Sequence, residues 1–88
     1  MPSYFEQMRS GMQLVQQLLL ELQPEARFDW GPMDNDANYP LFIVREGRKV
    51  LLFRFSKDSL AAMSDAHHQG KVRELLRQSL RTSTRLPR

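Results

Sequence analysis

The sequence predicts a small α+β domain, with helices packed on one face of an antiparallel sheet, and three observations predict it. A helix-capping signal opens an amphipathic run near the N-terminus. Two runs rich in β-branched and aromatic residues flank a Glu-Gly turn near the middle. A helical pattern with a basic side then closes the chain. The expected order is one helix, two or three antiparallel strands, then one or two helices. With 88 residues, 41% apolar and 26% charged, the chain holds one globular domain over 1–88.

Ser3 and Glu6 form the Ser-x-x-Glu capping box, which satisfies two orphan backbone donors and starts the first helix at about Tyr4. Phe5, Met8, Met12, Val15, Leu19 and Leu22 recur every three or four residues on one stripe, with Tyr4, Gly11 and Leu18 along its edge. Pro24 stops the helix near Gln23. The stripe lasts under three heptads, so it reads as a face laid on a sheet rather than a coiled-coil seam.

Ala26 to Trp30 is a short strand with Phe28 and Trp30 on one side, ended by Gly31-Pro32. In the loop that follows, Asp34, Asp36 and Asn38 match the first three ligand positions of an EF-hand. The match then fails, because Tyr39 stands where the sharp turn needs Gly and Arg45 where a bidentate Glu closes the site. The loop reads as a solvated Asx-turn, and no metal is expected.

Leu41 to Arg45 and Lys49 to Phe55 form a hairpin around Glu46-Gly47-Arg48. A two-residue Glu46-Gly47 turn pairs Arg45 with Arg48, Ile43 with Val50 and Leu41 with Leu52. Phe42, Val44, Leu51, Phe53 and Phe55 then share the face expected beneath the helices. The other face shows Leu41, Ile43, Val50 and Leu52, fringed by Tyr39, Arg45, Arg48 and Arg54. A sheet wetted on one side alternates cleanly, and this one does not. The second apolar face is therefore a candidate partner surface.

Ser56 or Asp58 caps a short helix through Leu60, Ala61 and Met63. Gly70 interrupts the pattern, and a last helix runs from about His68 to Ser83, burying Val72, Leu75, Leu76 and Leu80. Arg73, Arg77, Arg81 and Arg85 lie four apart and are candidate phosphate contacts. The tail 82–88, with Pro87, is expected to fray.

Catalytic patterns are scarce. His67 and His68 are adjacent, so on a helix their rings diverge by about 100°, and Ser64 and Asp65 beside them cannot build a triad. Asp29 and Glu46, with Arg48 and Lys49, are the residue types of a small nuclease, but Glu46 falls in the turn. The four glycines are scattered and cradle no phosphate. There are no cysteines, hence no disulfide or thiolate chemistry, which fits a cytoplasmic protein. No apolar run approaches the ~20 residues that span a bilayer, and no signal peptide is read. The expectation is no enzyme, no cofactor, no small-molecule substrate and no membrane partner.

Charge divides unevenly. Residues 1–44 hold two basic residues against six acids, whereas 45–88 hold eleven against four. A basic half suits anionic partners, and equally suits attraction between the two halves of one fold. The order helix, strands, helix resembles that of the double-stranded-RNA-binding domain. That family's lysine cluster at the start of the last helix is missing, however, with only Lys57 there.

The sequence thus supports a non-catalytic protein-interaction or regulatory module, dimerising through the open hairpin face. Its rival is a nucleic-acid-binding protein using the basic half. Hairpin and helix arginines converging on one side favour nucleic acid, and scattered ones favour the interaction module.

Overall fold

A computed structural model describes residues 3–45 and 49–84, apart from the side chains of Arg45, Lys49 and residues 82–84. Its elements are α1 (Tyr4–Leu22), β1 (Arg27–Trp30), β2 (Asn38–Arg45), β3 (Lys49–Ser56), α2 (Lys57–Ala61), a 3-10 turn (Ala62–Ser64) and α3 (Ala66–Thr84). The strands form one antiparallel sheet in the order β1-β2-β3. The helices cover one face of it, as expected for the α+β class.

The capping box of α1 is complete. The Ser3 hydroxyl accepts the Glu6 N–H at 3.1 Å, and the Glu6 carboxylate accepts the Ser3 N–H at 3.0 Å. The buried stripe runs through Met8, Gly11, Val15, Leu18 and Leu19. Phe5, placed by its spacing at the head of the stripe, is instead 59% exposed. The reason is a close helix crossing. A Cβ on Gly11 would stand 1.8 Å from the Leu60 carbonyl oxygen, so α1 rests backbone to backbone on α2 there. The buried face turns toward that crossing and leaves the first turn outside.

The hairpin departs from expectation by one residue. Arg45 pairs with Lys49, Val44 with Val50, Ile43 with Leu51 and Leu41 with Phe53, leaving three residues between the strands instead of two. The turn itself, residues 46–48, lies outside the described residues. Because side chains alternate with period two, this slip turns β2 over relative to β3. Leu41 and Ile43, expected on the open face, are fully buried with Phe53 and Phe55. Phe42 and Val44, expected beneath the helices, join Val50 and Leu52 outside.

Met8, Val15, Leu18 and Leu19 of α1 close over Leu41, Ile43, Phe53 and Phe55, with Leu60, Met63, Val72, Leu76 and Leu80 completing the core. Trp30 and Phe28 pack at its margin, and the Trp30 indole N–H donates to Gln16 Oε1 at 2.7 Å. Ser56 is the cap of α2, its hydroxyl accepting the Ser59 N–H at 3.1 Å. Asp58 instead accepts the Tyr4 hydroxyl at 2.6 Å, a bond that raises the phenol above its ordinary pKa. The last helix starts two residues earlier than its pattern suggests, because the Asp65 carboxylate accepts the His68 N–H. Gly70 lies within the helix and does not break it. Leu75, expected in the buried stripe, is 50% exposed, since Val72, Leu76 and Leu80 stack one turn apart on the inner line. The helix continues to Thr84, and 85–88, the rest of the tail expected to fray, lie outside the described residues.

Candidate interaction surfaces

The outer face of the sheet follows from the observed register. Phe42 and Val44 on β2 stand beside Leu52 and Val50 on β3, and all four are between 37% and 55% exposed. On β1, Asp29 faces Phe42 and Arg27 faces Val44. Where the chain leaves β1, a Cβ at Gly31 would stand 2.9 Å from the Phe42 and Pro40 rings, so both rings lie across the bare backbone.

Among the described residues, the rim of this face carries both signs of charge. Arg54 on β3 pairs with Asp34 at 2.9 Å, and Arg27 stands two places from Asp29. Tyr39, expected in the rim, pairs with Phe55 and packs against the core on the inner side. The side chain of Arg45 and all of Arg48 lie outside the described residues.

Asp34 organises the loop between β1 and β2. Its Oδ1 accepts the N–H groups of Asp36 and Asn38, both at 2.9 Å, which is the expected Asx-turn. Ala37 takes the left-handed conformation beside it, with φ 61°. The Asn38 N–H, then that of Asp36 and the Arg54 guanidinium, hold the Asp34 carboxyl below its ordinary pKa of 3.8. A depressed folded-state pKa stabilises the fold above the unfolded-state value, and that contribution is lost as pH falls through the folded-state value. Asp34→Asn is therefore expected to flatten the acid limb of the stability–pH curve below about pH 4. Urea melts across that limb check it, and identical limbs in both proteins would refute the role.

The arginines of α3 turn toward α1. Arg73 bonds Glu21 at 2.6 Å, and Arg77 forms a hydrogen-bonded ion pair with Glu74, which Gln78 also reaches. Arg77 and Arg81 flank Leu22 and Gln23 at the end of α1. Arg85 lies outside the described residues. Arg54 is paired with Asp34 of the β1–β2 loop rather than with a residue of this line. The Glu21–Arg73 pair shows the acidic and basic halves meeting within the fold.

A groove of about 360 Å³ runs between β3 and α3. Phe53, Phe55, Val72 and Leu75 give it an apolar lining, and Arg54, His68 and Lys71 supply positive or titratable groups. Ser59 Oγ and His68 Nε2 lie 2.9 Å apart in it. Ser59 sits nine residues before His68 on a different helix, so no local spacing announces the pair. The Asp65 carboxylate is taken by the backbone N–H of His68, and among the described residues no acid orients the imidazole. The arrangement is a hydrogen-bonded Ser–His pair that ties α2 to α3, without the third member of a triad.

Asp29 is on the outer sheet face, and Glu46, its expected nuclease partner, lies outside the described residues. Among the described residues, no three His, Asp or Glu side chains gather where a metal ion could sit, and no helix is long and apolar enough to cross a membrane. Comparison with protein-family models, curated proteins and solved structures gives no significant match to this chain.

Proposed function

We propose that the protein is a non-catalytic, cytoplasmic interaction module that self-associates through the outer face of its sheet. The observation that carries this reading is the contiguous apolar patch of Phe42, Val44, Val50 and Leu52, left open on a fold that has already closed its core on the other side. Such patches on small domains mark contact surfaces. A second copy suits the rim. A twofold axis through the face can set Arg27 of one copy against Asp29 of the other, and Arg54 already has Asp34 beside it. Opposite charges around an apolar centre favour pairing where a wholly basic rim would oppose it.

The test is solution mass by sedimentation at about 100 μM, in the range where such interfaces form. The expected result is twice the 10.4 kDa chain mass. Val50→Glu is expected to give a folded monomer, because a charge is costly at a desolvated centre and tolerable on a free surface. A wild type that stays at one chain mass refutes self-association. A mass increase seen only with added nucleic acid would replace the reading with its nucleic-acid-binding rival.

A further inference from the structure

We propose that Ser59 is a nucleophilic serine, acylated once per chain by activated esters, with His68 as the base that takes its proton. The site lies in the β3–α3 groove, apart from the outer sheet face, and does not depend on self-association there.

The geometry is that of a nucleophile beside its base. Ser59 Oγ and His68 Nε2 lie 2.9 Å apart, within the reach that proton transfer needs. Both side chains are half-buried and both line the groove, so the bond borders open space instead of being sealed in the core. Each residue is also anchored through its backbone. The Ser59 N–H donates to Ser56 Oγ at 3.1 Å, and the His68 N–H donates to Asp65 Oδ2 at 2.9 Å. These capping bonds hold the two side chains against each other in the first turns of α2 and α3, which lowers the entropy cost of aligning them. Ser56 supplies a contrast within the same groove, because its oxygen is engaged in the α2 cap.

The groove selects the acyl donor. Phe53, Phe55, Val72 and Leu75 give its space of about 360 Å³ an apolar lining, which suits a short alkyl chain. Lys71 shares that lining, and its charge suits the oxyanion of a tetrahedral intermediate. In the step itself, Oγ attacks the ester carbonyl carbon and the Ser59 proton passes to Nε2. The bond from that carbon to the leaving oxygen then breaks, and the leaving group takes the proton from His68. An acyl serine and a free alcohol or phenol result, with no change in oxidation state. The chemistry stops there. Among the described residues no acid orients the imidazole, and loss of that member from a triad costs about 10⁴-fold. A reactive ester overcomes that loss in the first step, whereas attack by water on the more stable serine ester does not. Ser59 is thus an acceptor and not a turnover catalyst.

The probe is p-nitrophenyl butyrate, followed by release of p-nitrophenolate and by mass spectrometry of the digested protein. The expected result is a burst of about one equivalent, with the butyryl group on Ser59. Ser59→Ala is expected to abolish the burst, and His68→Ala to slow it by about a hundredfold. Amide chemical-shift dispersion checks that both variants stay folded. Added imidazole should restore labelling of Ser59 in His68→Ala, a recovery that loss of a mere tie between α2 and α3 would not give. A butyryl group on Lys71 or spread over the lysines instead of Ser59, an unchanged rate in His68→Ala, or no recovery with imidazole would overturn the proposal. Steady turnover after the burst would overturn the single acylation. Val50→Glu, which addresses the outer face, is expected to label at the wild-type rate, so this site and self-association fail or succeed separately.

Discussion

Gly11→Ala is expected to destabilise the protein by about 3 kcal/mol, at the upper end of what overpacking costs. In an ordinary exposed helix the same change gains up to about 1 kcal/mol, because alanine is the better helix former. Here the new methyl would lie 1.8 Å from the Leu60 carbonyl oxygen and 2.6 Å from its carbon. Those are backbone atoms of α2, which no rotamer change can move aside. The helices must part, and Val15, Leu60 and Met63, packed where they cross, lose close contact. Gly70→Ala supplies the contrast, since a Cβ there meets nothing within 4 Å and the same exchange should stabilise α3 by about 0.5–1 kcal/mol. Urea melts of the two variants decide the matter. Equal effects at both positions would mean that α1 and α2 do not cross at Gly11.

The second large effect separates two neighbours in the chain. Ile43→Lys is expected to unfold the protein, because an unpaired ammonium at a fully buried position costs several kcal/mol, comparable with the whole stability of a small domain. Val44→Lys, one residue on, is expected to leave it folded, because that side chain opens on the outer face. Amide chemical-shift dispersion reads the outcome directly. A folded Ile43→Lys beside an unfolded Val44→Lys would restore the two-residue turn and reverse the faces of β2.

That pair of variants also locates where the sequence is readable and where it is not. The capping box, Pro24 and the Met8–Val15–Leu19 spacing place α1 almost to the residue, because each acts within one or two turns of chain. On β3, Arg54 between Phe53 and Phe55 is enough to set the inner side. On β2 nothing polar interrupts Pro40 to Val44, so the alternation that would orient the strand is absent, and only the turn length decides its parity. A one-residue difference in that turn exchanges Leu41 and Ile43 for Phe42 and Val44 on the candidate surface. The apolar excess of the hairpin is legible; its distribution is not. The β3–α3 groove lies further out of reach, since Ser59, His68 and Leu75 meet Phe53 only through the way α2 and α3 return along the sheet.

Trp30 gives the fold a built-in reporter. It is the single tryptophan of the chain, held between Gln16 of α1 and the Phe55 ring, whose centroid lies 5.9 Å away. Its emission therefore registers one event, the seating of α1 against the sheet, with no competing fluorophore of its kind. It stands on β1, at the opposite edge from β3. Loosening of α1, as in Gly11→Ala, should shift the spectrum to the red before the hairpin itself melts. One unlabelled optical signal thus follows the docking of the first helix without any introduced probe.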